Sequence, residues 1–148
     1  MARTAREFLE IRNEPSLLRN LQIEDITSKD IYDAAMNGDK MSKEIFDYTG
    51  RILGESFADM VAFSSPQAII LFGGLAKSGD LLLKPLKEAF EKSLMPIFRG
   101  KTSIILSELK ESDAAVLGAS ALGWEAKYRY ENKAAGETLP VVEKETEA

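Results

Sequence analysis

The chain has 148 residues, 45% of them hydrophobic, with 24 acidic against 19 basic side chains for a net charge of −5, values that suit one domain with its own core and argue against general nucleic-acid binding by clustered Lys and Arg. It contains neither Cys nor His, which excludes disulfides, thiolate or imidazole metal sites, a cysteine nucleophile and a Ser-His-Asp triad. No apolar run is long enough to span a bilayer and no secretory signal opens the chain, so a cytoplasmic location without membrane contact is expected.

The first predicted element is a short helix over residues 3–12, with Phe8, Leu9 and Ile11 apolar and Thr4 as a cap. Pro15 breaks it, and residues 17–26 fit either a helical turn or an irregular segment. Thr27-Ser28-Lys29-Asp30 reads as a helix start, because a hydroxyl there accepts from the first free N–H groups and Asp30 favours the positive end of the dipole. This helix runs to about Met36 and stops at Asn37-Gly38. Asp39 then caps a long helix over residues 40–63, whose predicted buried stripe is Ile45, Tyr48, Ile52, Leu53, Phe57 and Met60. Gly50 and Gly54 lie in it four apart. Each costs about 1 kcal/mol against Ala, so something approaches closely there, a second helix ahead of a ligand.

Ser65-Pro66 ends that helix, and Ala68 to Phe72 form an apolar strand with the look of a parallel strand buried on both faces. The segment AIILFGGLAKSGDLLLKPL, residues 68–86, has the layout of strand, tight turn and helix, with bare backbone at Gly73-Gly74. Taken alone, such a turn is equally consistent with a nucleotide cradle and with a plain strand–helix connection. The following helix covers residues 81–94, with Leu82, Leu83, Leu86, Ala89, Phe90 and Leu94 inward and Pro85 in its first turn. Thr102 to Leu106 is a second apolar strand, completing a strand–helix–strand crossover. Ser112-Asp113 caps a last helix over residues 113–130. Its small side chains would let it lie close against a sheet or helix, while Trp124, Tyr128 and Tyr130 cover its end. From Lys133 the composition turns polar and acidic, so residues 133–148 read as a disordered tail. Two short parallel strands are too few for a sheet that stands alone, and residues 1–66 offer no third.

Four segments in order resemble the C-terminal part of the ROK family (repressors, open reading frames and sugar kinases), in particular its glucokinase-like members. They are ARTAREFL at residues 2–9, ITSKDIYDAAMNGDKMSKEIFDYTGRILG at 26–54, PQAIILFGGLAKSGDLLLKPL at 66–86 and SDAAVLGASAL at 112–122. The resemblance implies an α/β fold class: a helix-rich, partial C-terminal lobe of an actin-like (hexokinase/ribonuclease H-like) ATPase fold. Residues 1–132 would be the partial nucleotide-binding lobe. It implies ATP with Mg2+ as cofactor, held by Gly73, Gly74, Leu75, Ser78 and Gly79. Ser78 would donate a hydrogen bond. Lys77 either pairs with a phosphate or faces water, the second reading leading.

The departures are equally specific. The family's kinases carry an Asp-x-Gly-x-(Thr or Asn) phosphate loop and an Asn-Asp pair whose aspartate is the general base; neither occurs here. Many also hold zinc through a histidine and cysteines just before the ARTAREFL segment, and this chain has none of those residues. The expectation is a family member without the N-terminal lobe and zinc region, with no catalytic residue, no metal ligand and no sugar site of its own. Asp59, Asp80 and Asp113 are the nearest carboxylates to suggestive positions. Asp80 and Asp113 read better as helix-start residues and Asp59 as a surface residue. The leading function is the ATP-binding lobe of a sugar kinase, inactive alone. The alternatives are a non-catalytic oligomerisation or scaffold fragment and the effector half of a ROK transcriptional repressor. The small-residue faces and sheet edges point to a homo-oligomer.

Overall fold

The computed structural model describes residues 1–109 and 111–134. The chain divides into a first unit, Met1–Ser107, and a second beginning at Glu108.

In the first unit, helix α1 (Ala2–Ile11) buries Ala5 and Leu9. Its N-cap is Met1, with no side-chain cap bond, so Thr4 lies inside the helix rather than capping it. The segment that follows is mostly irregular, with short 3-10 turns at Leu17–Asn20 and Ile23–Asp25. Such a segment leaves carbonyls without ladder partners, and two arginines meet several of them. Arg6 donates to the carbonyls of Ile23 at 3.0 Å and Glu24 at 2.6 Å. Arg19 donates to the carbonyls of Leu9, Arg12 and Glu14.

Helix α2 (Ser28–Met36) opens on a complete capping box between Thr27 and Asp30 and ends at Asn37, with Gly38 following at φ +92°. Asp39 caps α3 (Lys40–Ser64), accepting from the Ser42 N–H at 2.7 Å. Its other oxygen accepts from the Leu17 N–H at 2.7 Å, so one carboxylate fixes both the start of α3 and the loop beneath it.

The buried face of α3 is rotated from the predicted stripe: of its six residues Ile45 is buried and Leu53 and Phe57 pack half-buried against the core. Met41, Ile45, Phe46, Gly50, Gly54, Ala58 and Val61 face inward, whereas Tyr48, Ile52 and Met60 are exposed. The glycines explain the rotation. A Cβ on Gly50 would lie 2.8 Å from Pro85 Cγ and 2.9 Å from the Leu82 carbonyl oxygen; one on Gly54 would fall on the Leu86 carbonyl and 2.8 Å from Phe90 N. Helix α4 (Asp80–Ser93) therefore crosses α3 with backbone against backbone, and Leu82, Leu86 and Phe90 close the contact. Pro85 sits in the second turn of α4 rather than the first. It gives up the bond to the Leu81 carbonyl and packs its ring over Gly50 instead.

Strands β1 (Ala68–Leu71) and β2 (Ser103–Leu106) pair in parallel, with Ile69 opposite Ile104 and Ile70 opposite Ile105. The expectation of burial on both faces is corrected. Ile69 and Ile104 pack on Ala58, Val61, Phe90 and Leu94, but Ile70 is 63% and Ile105 45% exposed on the other face. Alternation along a strand assigns neighbours to opposite faces, and α3 and α4 cover only one.

The second unit is helix α5 (Glu111–Ala134). It starts before the predicted cap, so Ser112 and Asp113 lie in its first turn. Glu125 pairs with Arg129 and Lys127 with Glu131 one turn apart. Trp124, Tyr128 and Tyr130 are exposed rather than covering the helix end, and the Lys127 ammonium lies 5.0 Å from the Trp124 ring centre. Of the tail expected at 133–148, residues 133 and 134 continue α5 instead, and the remainder lies outside the described residues.

Candidate functional site

The turn after β1 is built by two glycines in conformations that L side chains rarely adopt. Gly73 has φ +100°, and Gly79 has φ +59° with ψ −140°. Between them the chain makes a 3-10 turn, Ala76–Ser78, in which the N–H groups of Ala76, Lys77 and Ser78 donate to the carbonyls of Gly73, Gly74 and Leu75. Those three N–H groups are spent inside the turn. The N–H groups of Gly73, Gly74 and Leu75 have no backbone carbonyl partner among the described residues. The Gly79 carbonyl accepts from Leu82 and Leu83 at 3.1 and 2.9 Å and so starts α4, with Asp80 in its first turn. Asp80 thus occupies the helix-start position expected for it, and Asp59 is exposed on α3.

A cleft of about 490 Å³ opens beside this turn. Gly74, Leu75, Lys77 and Ser78 form one wall and Ser28, Lys29, Tyr32 and Asp33 the other. Of the five residues read from the sequence as a nucleotide cradle, Gly74, Leu75 and Ser78 line the cleft, while Gly73 and Gly79 shape the backbone at either end of the turn. The α2 wall was not anticipated. Its signal was nonetheless present: Ser28/Tyr32 and Lys29/Asp33 are four apart on α2, on the side away from buried Ile31, Ala34 and Ala35.

The α2 wall is firmly placed. Asp30 accepts from the Thr27 hydroxyl at 2.5 Å and from the Thr27 N–H at 2.9 Å, and these bonds hold its carboxyl below the usual carboxylate range. Tyr32 is braced from behind by Phe46, fully buried, in an edge-on contact with ring centres 6.3 Å apart. Chemically, the cleft offers unshared backbone N–H groups near it, two lysines, two serine hydroxyls, an aromatic ring and one carboxylate, that of Asp33. That set fits a nucleoside phosphate: donors and cations for the phosphates, a ring for the base. Among the described residues no group of three acidic, His or Cys side chains could hold a metal.

Residues 7–126 match the model of the ROK family. The chain belongs to the ROK family. It is 33% identical over 95 residues to the glucokinase of Thermotoga maritima, covering 64% of this chain and 30% of that protein. It is 31% identical over 100 residues to the DNA-binding transcriptional dual regulator NagC of Escherichia coli K12, covering 68% of this chain and 24% of NagC. Among solved structures it is similar to a ROK family glucokinase from Streptomyces griseus in complex with glucose and AMPPNP, with TM-score 0.63 and 26% identity over 73% of this chain and 36% of that one. This ROK chain therefore spans between about a quarter and about a third of the length of such relatives. Its fold is that of a helix-rich α/β part of the actin-like lobe, as the sequence resemblance implied.

Proposed function

We propose that this ROK chain is the nucleotide-binding part of a glucokinase-like sugar kinase, with the lobe formed by residues 1–132. ATP lies in the cleft between α2 and the glycine turn. Its phosphates meet the N–H groups of Gly73, Gly74 and Leu75 and the Ser78 hydroxyl, and Mg2+ rides on them. The bare backbone at Gly73–Leu75 carries this reading, and the AMPPNP complex of the Streptomyces griseus relative supports it. Phosphoryl transfer to a hexose also needs a base for the hydroxyl proton, and the chain has no Asn-Asp pair and no phosphate loop. By itself the chain binds ATP without phosphorylating glucose. Its partners are a nucleotide and, only with a sugar-binding lobe, a hexose. The acidic net charge speaks against direct nucleic-acid contact, and a cytoplasmic homo-oligomer is the state we infer.

Calorimetric titration of the chain with Mg-AMPPNP tests the reading. Gly74→Val, which puts a branched side chain over the bare backbone, is expected to weaken binding at least about tenfold, the equivalent of about 1.4 kcal/mol. Purified chain given ATP and glucose should yield no glucose 6-phosphate above background. The comparable similarity to NagC favours a second reading, the effector half of a regulator. Under it, AMPPNP would not bind at all.

A further inference from the structure

We propose that Tyr32 of α2 is the platform on which the nucleotide base stacks, so that the cleft selects a nucleoside phosphate over a bare polyphosphate; the proposal rests on the nucleotide reading above. The carrying observation is that Tyr32 is the one aromatic side chain among the residues lining the cleft, set on α2 beside Ser28, Lys29 and Asp33, while Gly74 and Ser78 of the turn line the same space. At about 490 Å³ the cleft is far larger than a phosphate group requires and falls in the range of small-molecule and cofactor sites. Its apolar lining is Tyr32 and Leu75, each half-buried against the core, surfaces of the kind that take up the flat, weakly hydrated body of a base.

Tyr32 also arrives preorganised. Phe46 meets its ring edge-on with an interplanar angle of 72°. Phe46 is itself immobilised in the core beside Ile31, Ile45 and Leu82. The capping box fixes the start of α2 a turn earlier. A ring held in this way loses little freedom when a base settles on it. A purely structural tyrosine would be indifferent to what fills the cleft.

The test compares Mg-AMPPNP with Mg-tripolyphosphate by calorimetry on the unaltered chain and on Tyr32→Phe and Tyr32→Leu. The unaltered chain should bind AMPPNP at least about tenfold more tightly than tripolyphosphate, the size of one stacking contact. Tyr32→Leu, which keeps apolar bulk against Phe46, should lose about tenfold for AMPPNP and nothing for tripolyphosphate. Tyr32→Phe should bind both as the parent does. Equal AMPPNP affinity in Tyr32→Leu and parent overturns the role of Tyr32 and leaves the nucleotide reading standing. If the parent binds AMPPNP no better than tripolyphosphate, the base makes no contact and the proposal falls without any variant. If the parent binds neither, both readings fall together. Should Tyr32→Leu fail to fold, the comparison of the two ligands on the parent decides.

Discussion

Asp39 shows how much one carboxylate can organise. It lies almost wholly buried, at 8% exposure, and accepts from two N–H groups belonging to different segments. Burial works against its charge, but the Ser42 and Leu17 N–H bonds outweigh it and hold its carboxyl below the ordinary value of 3.8. A depressed folded-state value means that stability is present above the unfolded value and is lost as pH falls through the folded one. Thermal melts should therefore be flat from neutral pH down to about 5 and decline below about 4. Asp39→Ala should cost about 1–2 kcal/mol at neutral pH, as a lost N-cap does. The gap between parent and variant should narrow in strong acid; a gap that stays constant would mean that the charge contributes nothing. The cap itself was legible in the sequence, because capping joins residues three apart. The bond to Leu17 was not, because it spans 22 residues.

At the scale of elements, the crossing of α3 and α4 dominates the first unit. Gly54 is filled by the backbone of α4, so Gly54→Ala forces the helices apart even though Ala is the better helix former. We expect a net loss of about 1–2 kcal/mol, overpacking less the propensity gain, measured by urea denaturation. Gly50→Ala should cost less, since a Cβ there comes no nearer than 2.8 Å to any atom of α4, whereas one on Gly54 falls on the Leu86 carbonyl. The glycine spacing correctly pointed to a second helix. The apolar spacing on the same element placed Ile45, Leu53 and Phe57 correctly but also put Tyr48, Ile52 and Met60 in the core, because they read as core by type. Small residues made the true interface, and periodicity counts weigh large apolar residues more heavily. Pro85 misled for a related reason: the start of α4 depends on the Gly79 backbone conformation, which shifts the proline into the second turn.

For the whole molecule, the exposed face of the sheet is the feature with consequences. Ile70 and Ile105 stand side by side in the open on a two-stranded sheet, in a chain that spans between about a quarter and about a third of the length of such relatives. Two strands rarely persist in water without a cover, and paired exposed isoleucines invite association. Sedimentation should show species larger than a monomer that diminish at low concentration. Ile70→Lys should shift the population toward monomer. A parent that is strictly monomeric at all concentrations would contradict this.

The amino-acid sequence by itself determined the order of elements, the caps at Thr27 and Asp39 and the glycine turn after β1. Each of these depends on backbone preferences and hydrogen bonds among residues a few positions apart. Only the tertiary structure decided which face of α3 is buried, that one side of the sheet lies open, and that Tyr32 and Leu75 line one cleft. Those outcomes depend on contacts between residues tens of positions apart, whose partners no local pattern names.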